Sequence, residues 1–152
     1  MSRYVARVST LAANVGAVKT ILQLTAGAAD RMQISEIGVS FDGTNASATP
    51  VTVQLVRQTS AGTGGGSAIT PVAMNPADGA AHTTAVSGPA GAWTTEPTAG
   101  DVLREWRVPP SSGLVLQFPL DFQPTVGLNG IIALTVNAAA AVDVTAYMEW
   151  TE

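Results

Sequence analysis

Alternation organises this chain. Between residues 142 and 150, Val142, Val144, Ala146, Met148 and Trp150 take one side, and Asp143, Thr145, Tyr147 and Glu149 take the other. Successive side chains of a β-strand point to opposite faces, so this segment is a strand with one buried face. Over 50–59, Val51, Val53 and Leu55 alternate with Thr52 and Gln54, and Pro50 stands where a strand start needs no N–H donor. The same logic predicts strands over 3–9 (Tyr4, Ala6 and Val8 on one face) and 17–25 (Val18, Leu22 and Leu24 opposite Ile21). It predicts others over 101–108, 113–118 and 131–136. No segment keeps a helical period, and the four alanines after Asn137 are too few for a stable helix.

The segment 31–41 changes phase. Met32 and Ile34 share one parity, whereas Ile37, Val39 and Phe41 share the other. A period of two cannot hold both sets on one face. The segment therefore predicts a β-bulge or bend near Ser35–Glu36, or a strand buried on both sides. After it comes Asp42-Gly43, a dipeptide that turns cheaply because φ > 0 costs it little. An antiparallel hairpin spanning 34–58 is the expected result. Its outward face would be Thr52, Gln54 and Gln58 around Val56, neutral and suited to packing beside a copy of itself.

Residues 60–100 differ in texture. Gly62 to Ser67 reads as a flexible link, and Pro71, Pro76, Pro89 and Pro97 punctuate a run of alanine, threonine and glycine. One or two short strands, Ala68–Met74 and His82–Val86, are expected inside an otherwise extended crossover. A separate linker is the other reading. Strands resume afterwards without a change in composition, which favours one domain over 1–152. The expected fold is all-β: a two-sheet antiparallel β-sandwich, jelly-roll-like, with about eight strands. An immunoglobulin-like sandwich stands second.

Composition narrows the function. The chain has 152 residues, enough for a sizeable core without disulfides or metal. It has no cysteine, which removes thiol chemistry and thiolate metal sites and fits assembly in a reducing cytoplasm. Charged residues make up 12% and the net charge is −4, so the basic face that a nucleic-acid partner needs is missing. No basic amphipathic helix or apolar run of membrane length is present, and Arg3 and Arg7 break up any signal-peptide core. A surface this poor in charge is either rich in neutral polar groups or partly covered by partners.

The search for chemistry returns little. His82 is the only histidine and has no orienting acid or nucleophile near it in sequence. The Gly62–Gly66 run lacks the Lys-Ser/Thr and helix of a phosphate loop. Acidic residues are scattered mostly at turns, where Asp is common. No cofactor or metal is expected, and the chain reads as non-enzymatic. A carboxylate pair across a cleft would be needed to make it a glycosidase.

Three tryptophans remain. Trp106 and Trp150 belong to strands and to the core by default, while Trp93 is either an exposed anchor or a plug onto its own sandwich. Along 101–108, Arg104 and Trp106 share one face and Glu105 and Arg107 the other. At least one of these charges would then be held in an ion pair, within the chain or across a subunit contact, or the strand is an edge protected by charge. Capsid or subunit contacts are expected from Arg3, Tyr4 and Arg7 in the N-terminal strand or arm (1–9), from Trp93, and from Arg104, Glu105 and Arg107.

The stretches Leu24-Thr25-Ala26, Glu36-Ile37-Gly38-Val39-Ser40-Phe41-Asp42-Gly43-Thr44, Val53 to Thr59, Glu96 to Gly100, Glu105-Trp106 and Ala146 to Trp150 carry a resemblance. Together they resemble small β-proteins encoded among tailed-phage virion genes. The resemblance implies a head decoration (cement) protein or a related minor virion protein. Such proteins are often trimeric jelly rolls or β-tulips that bridge neighbouring major capsid subunits. It therefore implies a homotrimer on the capsid exterior, made in the host cytoplasm, with neither nucleic acid nor membrane as partner. No site residue is carried over from it. A carbohydrate- or receptor-binding module of a tail or fibre is the alternative.

Overall fold

A computed structural model describes residues 1–13, 17–42, 49–64, 66–88 and 93–152, with 10–13 described by backbone alone. These residues contain twelve strands. They are β1 (Arg3–Ala13), β2 (Lys19–Thr25), β3 (Met32–Phe41), β4 (Val51–Gln58), β5 (Ser67–Ile69), β6 (Val72–Ala73), β7 (Thr84–Ser87), β8 (Ala99–Val108), β9 (Gly113–Gln117), β10 (Thr125–Val126), β11 (Ile131–Asn137) and β12 (Val142–Thr151). The first sheet runs β10–β3–β12–β1–β6, with β9 also paired to β3, and the second runs β5–β7–β2–β11–β4–β8. All pairings are antiparallel.

The pairings nest. β1 pairs β12, β2 pairs β11, β3 pairs β9 and β10, and β4 pairs β8. The chain is thus one long double ribbon whose successive pairs fall alternately in the two sheets, which is the winding of a jelly roll. The expected sandwich is present, with more strands than the eight expected. The additional strands are β5, β6 and β7, which fall on the short strands expected over Ala68–Met74 and His82–Val86, and β10, for which there was no expectation.

The core lies between the sheets. Trp150, Met148, Ile34, Ile37, Leu22, Leu24, Leu55, Ile132 and Leu134 are at most 1% exposed. Tyr4 stacks on Trp150 with ring centroids 6.0 Å apart. The phase change in β3 is a β-bulge: Glu36 pairs Glu149 and Ile34 pairs Trp150, leaving Ser35 over. That one extra residue lets Met32 and Ile34 and then Ile37, Val39 and Phe41 all face inward.

The expected 34–58 hairpin does not form. β3 lies in the first sheet and β4 in the second, so the two arms do not pair. A turn dipeptide sets where a chain reverses, not whether the two arms share a sheet. Each arm finds its neighbours later in the chain: β3 in β9, β10 and β12, and β4 in β8 and β11. Gly43 of the turn lies outside the described residues.

The crossover is not a loose excursion. β5 and β7 extend the second sheet beside β2, and β6 extends the first beside β1, with Pro71 at the break between β5 and β6. Residues 93–98 then return. Thr63 bridges Thr95, Thr59 N donates to Thr98 O at 2.9 Å, and Glu96 accepts from Thr20 N at 3.2 Å and pairs with Lys19 Nζ at 3.0 Å. Beneath lie the outward side chains of β2, β4 and β11. Gln23 Nε2 donates to Gln58 Oε1 at 2.6 Å, Gln58 Nε2 donates to Thr20 Oγ1 at 2.9 Å, and all three residues are buried. This corrects the expectation for Gln58 and Val56, whose face packs inside the molecule rather than beside a copy.

Candidate functional site

The outward face of the first sheet carries the main polar cluster. Register places Glu36 opposite Glu149 and Gln117, and Gly38 opposite Tyr147 and Val115. The Tyr147 ring lies across Gly38, where any Cβ would sit 2.1 Å from its Cε1. This brings the Tyr147 hydroxyl to Glu36, which it hydrogen-bonds, and Gln117 Nε2 donates to the same carboxylate at 2.7 Å. Those two donors, with Arg3 nearby, hold the Glu36 carboxyl below its ordinary value. Burial and the Glu36 charge push the Tyr147 hydroxyl up to about 12. Two like charges opposite each other across strands would repel, and Arg3 Nη2 offsets this by pairing with Glu149 at 2.5 Å. A general acid needs a raised pKa, and Glu36 is moved the other way. Among the described residues, no group of His, Asp or Glu is arranged to hold a metal.

The Ser35 bulge positions something else. Its carbonyl accepts from Phe118 N at 2.9 Å, and Ile34 N donates to Pro124 O at 3.0 Å. The segment between β9 and β10 is therefore tied to β3 at both ends, with Phe118 buried beneath it. What remains is a turn closed by Phe122 N donating to Pro119 O at 3.0 Å. It projects Leu120, 80% exposed, and Phe122, 76% exposed. Asp121 between them has φ of 71°, in the left-handed region that suits glycine or asparagine. Leu116, Phe118, Pro119 and Phe122 meet Arg104 of β8 in a groove of about 410 Å³. Val115 of β9 and Val102 of β8 are exposed as well. Leu120 and Phe122, both exposed on one turn, are the candidate interaction surface.

The expected contact residues fall in different places. Tyr4 is a correction: it is 4% exposed, stacked on Trp150, and its hydroxyl donates to Gly79 O at 3.1 Å. It shares a parity with Ala6 and Val8, and that parity faces the core. Arg3 and Arg7 take the opposite parity and lie on the outward face of β1. Trp93 is half-buried and lies against Gly66 and Gly88, where a Cβ would come within 3.3 Å and 2.4 Å of the indole. It packs on its own chain, although its N–H finds no acceptor among the described residues. On β8, Trp106 packs inward and Val108 is buried beside it, while Arg104 opens into the groove. Glu105 accepts from Gln54 Nε2 at 2.6 Å and lies 3.9 Å from Arg107 Nε. Sequence reasoning missed Leu120 and Phe122. Their signal was an acid flanked by two large apolar residues, itself between Pro119 and Pro124.

No helix among the described residues is long and apolar enough to cross a membrane. No family model matches the chain, and neither a curated protein nor a solved structure matches it.

Proposed function

We propose that the chain is a non-enzymatic structural protein of a tailed-phage head. In this reading it is a decoration (cement) protein that oligomerises and binds across major capsid subunits on the capsid exterior. The observation that carries it is the projecting Leu120–Phe122 turn on the open side of a sandwich with little surface charge. Exposed apolar groups of that size are costly to leave in water and gain by being covered. The resemblance to phage virion proteins supports the capsid as partner, and jelly rolls are a recurrent architecture of viral shells. Stabilisation would be additive, since symmetric repetition turns modest contacts into large avidity.

The test is binding of the purified protein to expanded heads of its phage, read by co-sedimentation and by cryo-EM of the particle. Regular occupancy of the outer lattice is expected. Protein that remains in the supernatant over all concentrations overturns the proposal. The carbohydrate-binding alternative needs exposed, coplanar aromatics. Of the eight aromatic residues only Phe122 is exposed, so no observation favours it.

A further inference from the structure

The first sheet ends in two unlike edges. At one, the Pro119–Phe122 turn offers Leu120 and Phe122 with Asp121 between them. At the other, β6 covers only Tyr4 and Val5 of β1, so the strand is left unpaired on that side beyond Val5 among the described residues. There Val5, Arg7, Ile69, Thr70 and Val72 line a groove of about 470 Å³. The groove is mostly apolar, with Val72 61% exposed, and its one charge is Arg7. Neither Arg7 nor Asp121 takes part in an ion pair among the described residues.

We propose that the Leu120-Asp121-Phe122 knob of one copy docks in the Val5–Arg7–Val72 groove of a second copy, with Asp121 meeting Arg7. Two features converge on a second copy as the occupant. The knob is apolar, acidic and convex, and the groove is apolar, basic and concave, so the two match in shape class and in sign. They lie on opposite edges of one sheet, toward the same end of its strands, because β6 meets β1 at Tyr4 and Val5 and the knob is tied to β3 at Ile34 and Ser35. A contact between two different patches of identical chains is head-to-tail, and such contacts close into rings when the rotation permits.

The inference rests on the oligomerising part of the proposed function, and its test does not involve phage heads. Native mass spectrometry and sedimentation velocity are run on the full chain and on Asp121→Arg, Arg7→Asp and the double variant. The unmodified chain is expected to form a discrete oligomer. Each single reversal places like charges together and should weaken association by about a hundredfold. The double variant exchanges the two signs and should regain the oligomer. Asp121→Gly relieves the backbone and removes the charge, so its thermal melt should not fall while its association weakens. An unmodified chain that stays monomeric, single reversals that associate as before, or a double variant that stays dissociated overturns the proposal. Heads that bind no protein, together with charge-dependent association in this assay, would sink the capsid reading and leave the contact standing.

Discussion

The two lateral sides of the sandwich are finished in different ways. On one side the chain closes itself: β5 and β7 extend the second sheet, β6 extends the first, and residues 93–98 fold over Thr20, Gln23 and Gln58. On the other side β8 is a bare edge, and the β9–β10 turn leaves Leu120 and Phe122 in solvent. Neutral polar groups are buried beneath the covering segment, with the groove around Val72 left open beside β6, whereas Leu120 and Phe122 stand in solvent with nothing folded over them. The difference teaches that low charge is not by itself the mark of an interface. Gln23 and Gln58 are uncharged because they are covered internally and satisfy one another.

The sharpest way to break this contrast is at Gly88 on the closed side. A Cβ there would sit 1.8 Å from the Thr20 carbonyl oxygen and 2.4 Å from the Trp93 indole nitrogen. Gly88→Ala should lower unfolding free energy by about 3 kcal/mol, measured by urea denaturation. Gln23→Ala removes the donor to Gln58 Oε1 and leaves a buried acceptor unpaired. Its expected cost is about 2 kcal/mol in the same assay. On the open side, the paired change Leu120→Ser and Phe122→Ser should alter monomer stability by no more than about 0.5 kcal/mol, because both side chains are already in water. It should still reduce oligomer formation and head binding. A large stability loss from that pair would mean that the two sides do not differ as described.

The smallest effect concerns pH. His82 belongs to the closing segment, where its ring pairs with Asp30 and its N–H donates to the Glu152 carboxylate at 2.6 Å. The hydrogen bond and charge of Asp30 raise the His82 pKa above its ordinary 6.5. A raised folded-state value means that the protonated form is favoured by folding. The contribution is fully present below pH 6.5 and is lost as pH rises through the folded value. Melting temperature should therefore decline slightly over that window, and His82→Ala should flatten the decline.

Much of the architecture was legible in the sequence because a strand records its inner face in every second residue. The clearest case is β3, where the parity switch between Ile34 and Ile37 calls for a bulge or bend near Ser35–Glu36 or burial on both sides, and the register shows a bulge at Ser35. Pairing was not legible. The neighbours of β3 lie far along the chain, from Ser40 paired with Gly113 to Gln33 paired with Thr151, and the Asp42-Gly43 turn argued locally for β4 instead. The closing segment was legible in part: short strands are expected over Ala68–Met74 and His82–Val86, where β5, β6 and β7 lie. Which sheet each joins was not legible, because strands this short show no alternation and sheet edges require only a few residues to pair. For the candidate site, β8 drew notice because Arg104, Glu105 and Arg107 are conspicuous in a chain with so few charges. Tyr4 was misread as a contact even though its parity with Ala6 and Val8 pointed to the core. Leu120 and Phe122 stayed hidden because apolar residues read as buried unless a turn is known to lift them out.

The nested pairing has a consequence for how the sandwich folds. β12 sits at the centre of the first sheet between β3 and β1. It is the farthest strand from β1 in chain order, and Ser2 and Glu152 exchange backbone hydrogen bonds at 2.9 and 3.1 Å. Without β12, β1 and β3 lack the strand that joins them. The sandwich therefore cannot close strand by strand from β1 onward. It is a fold whose most distant segments must meet, and its folding is slow for that reason.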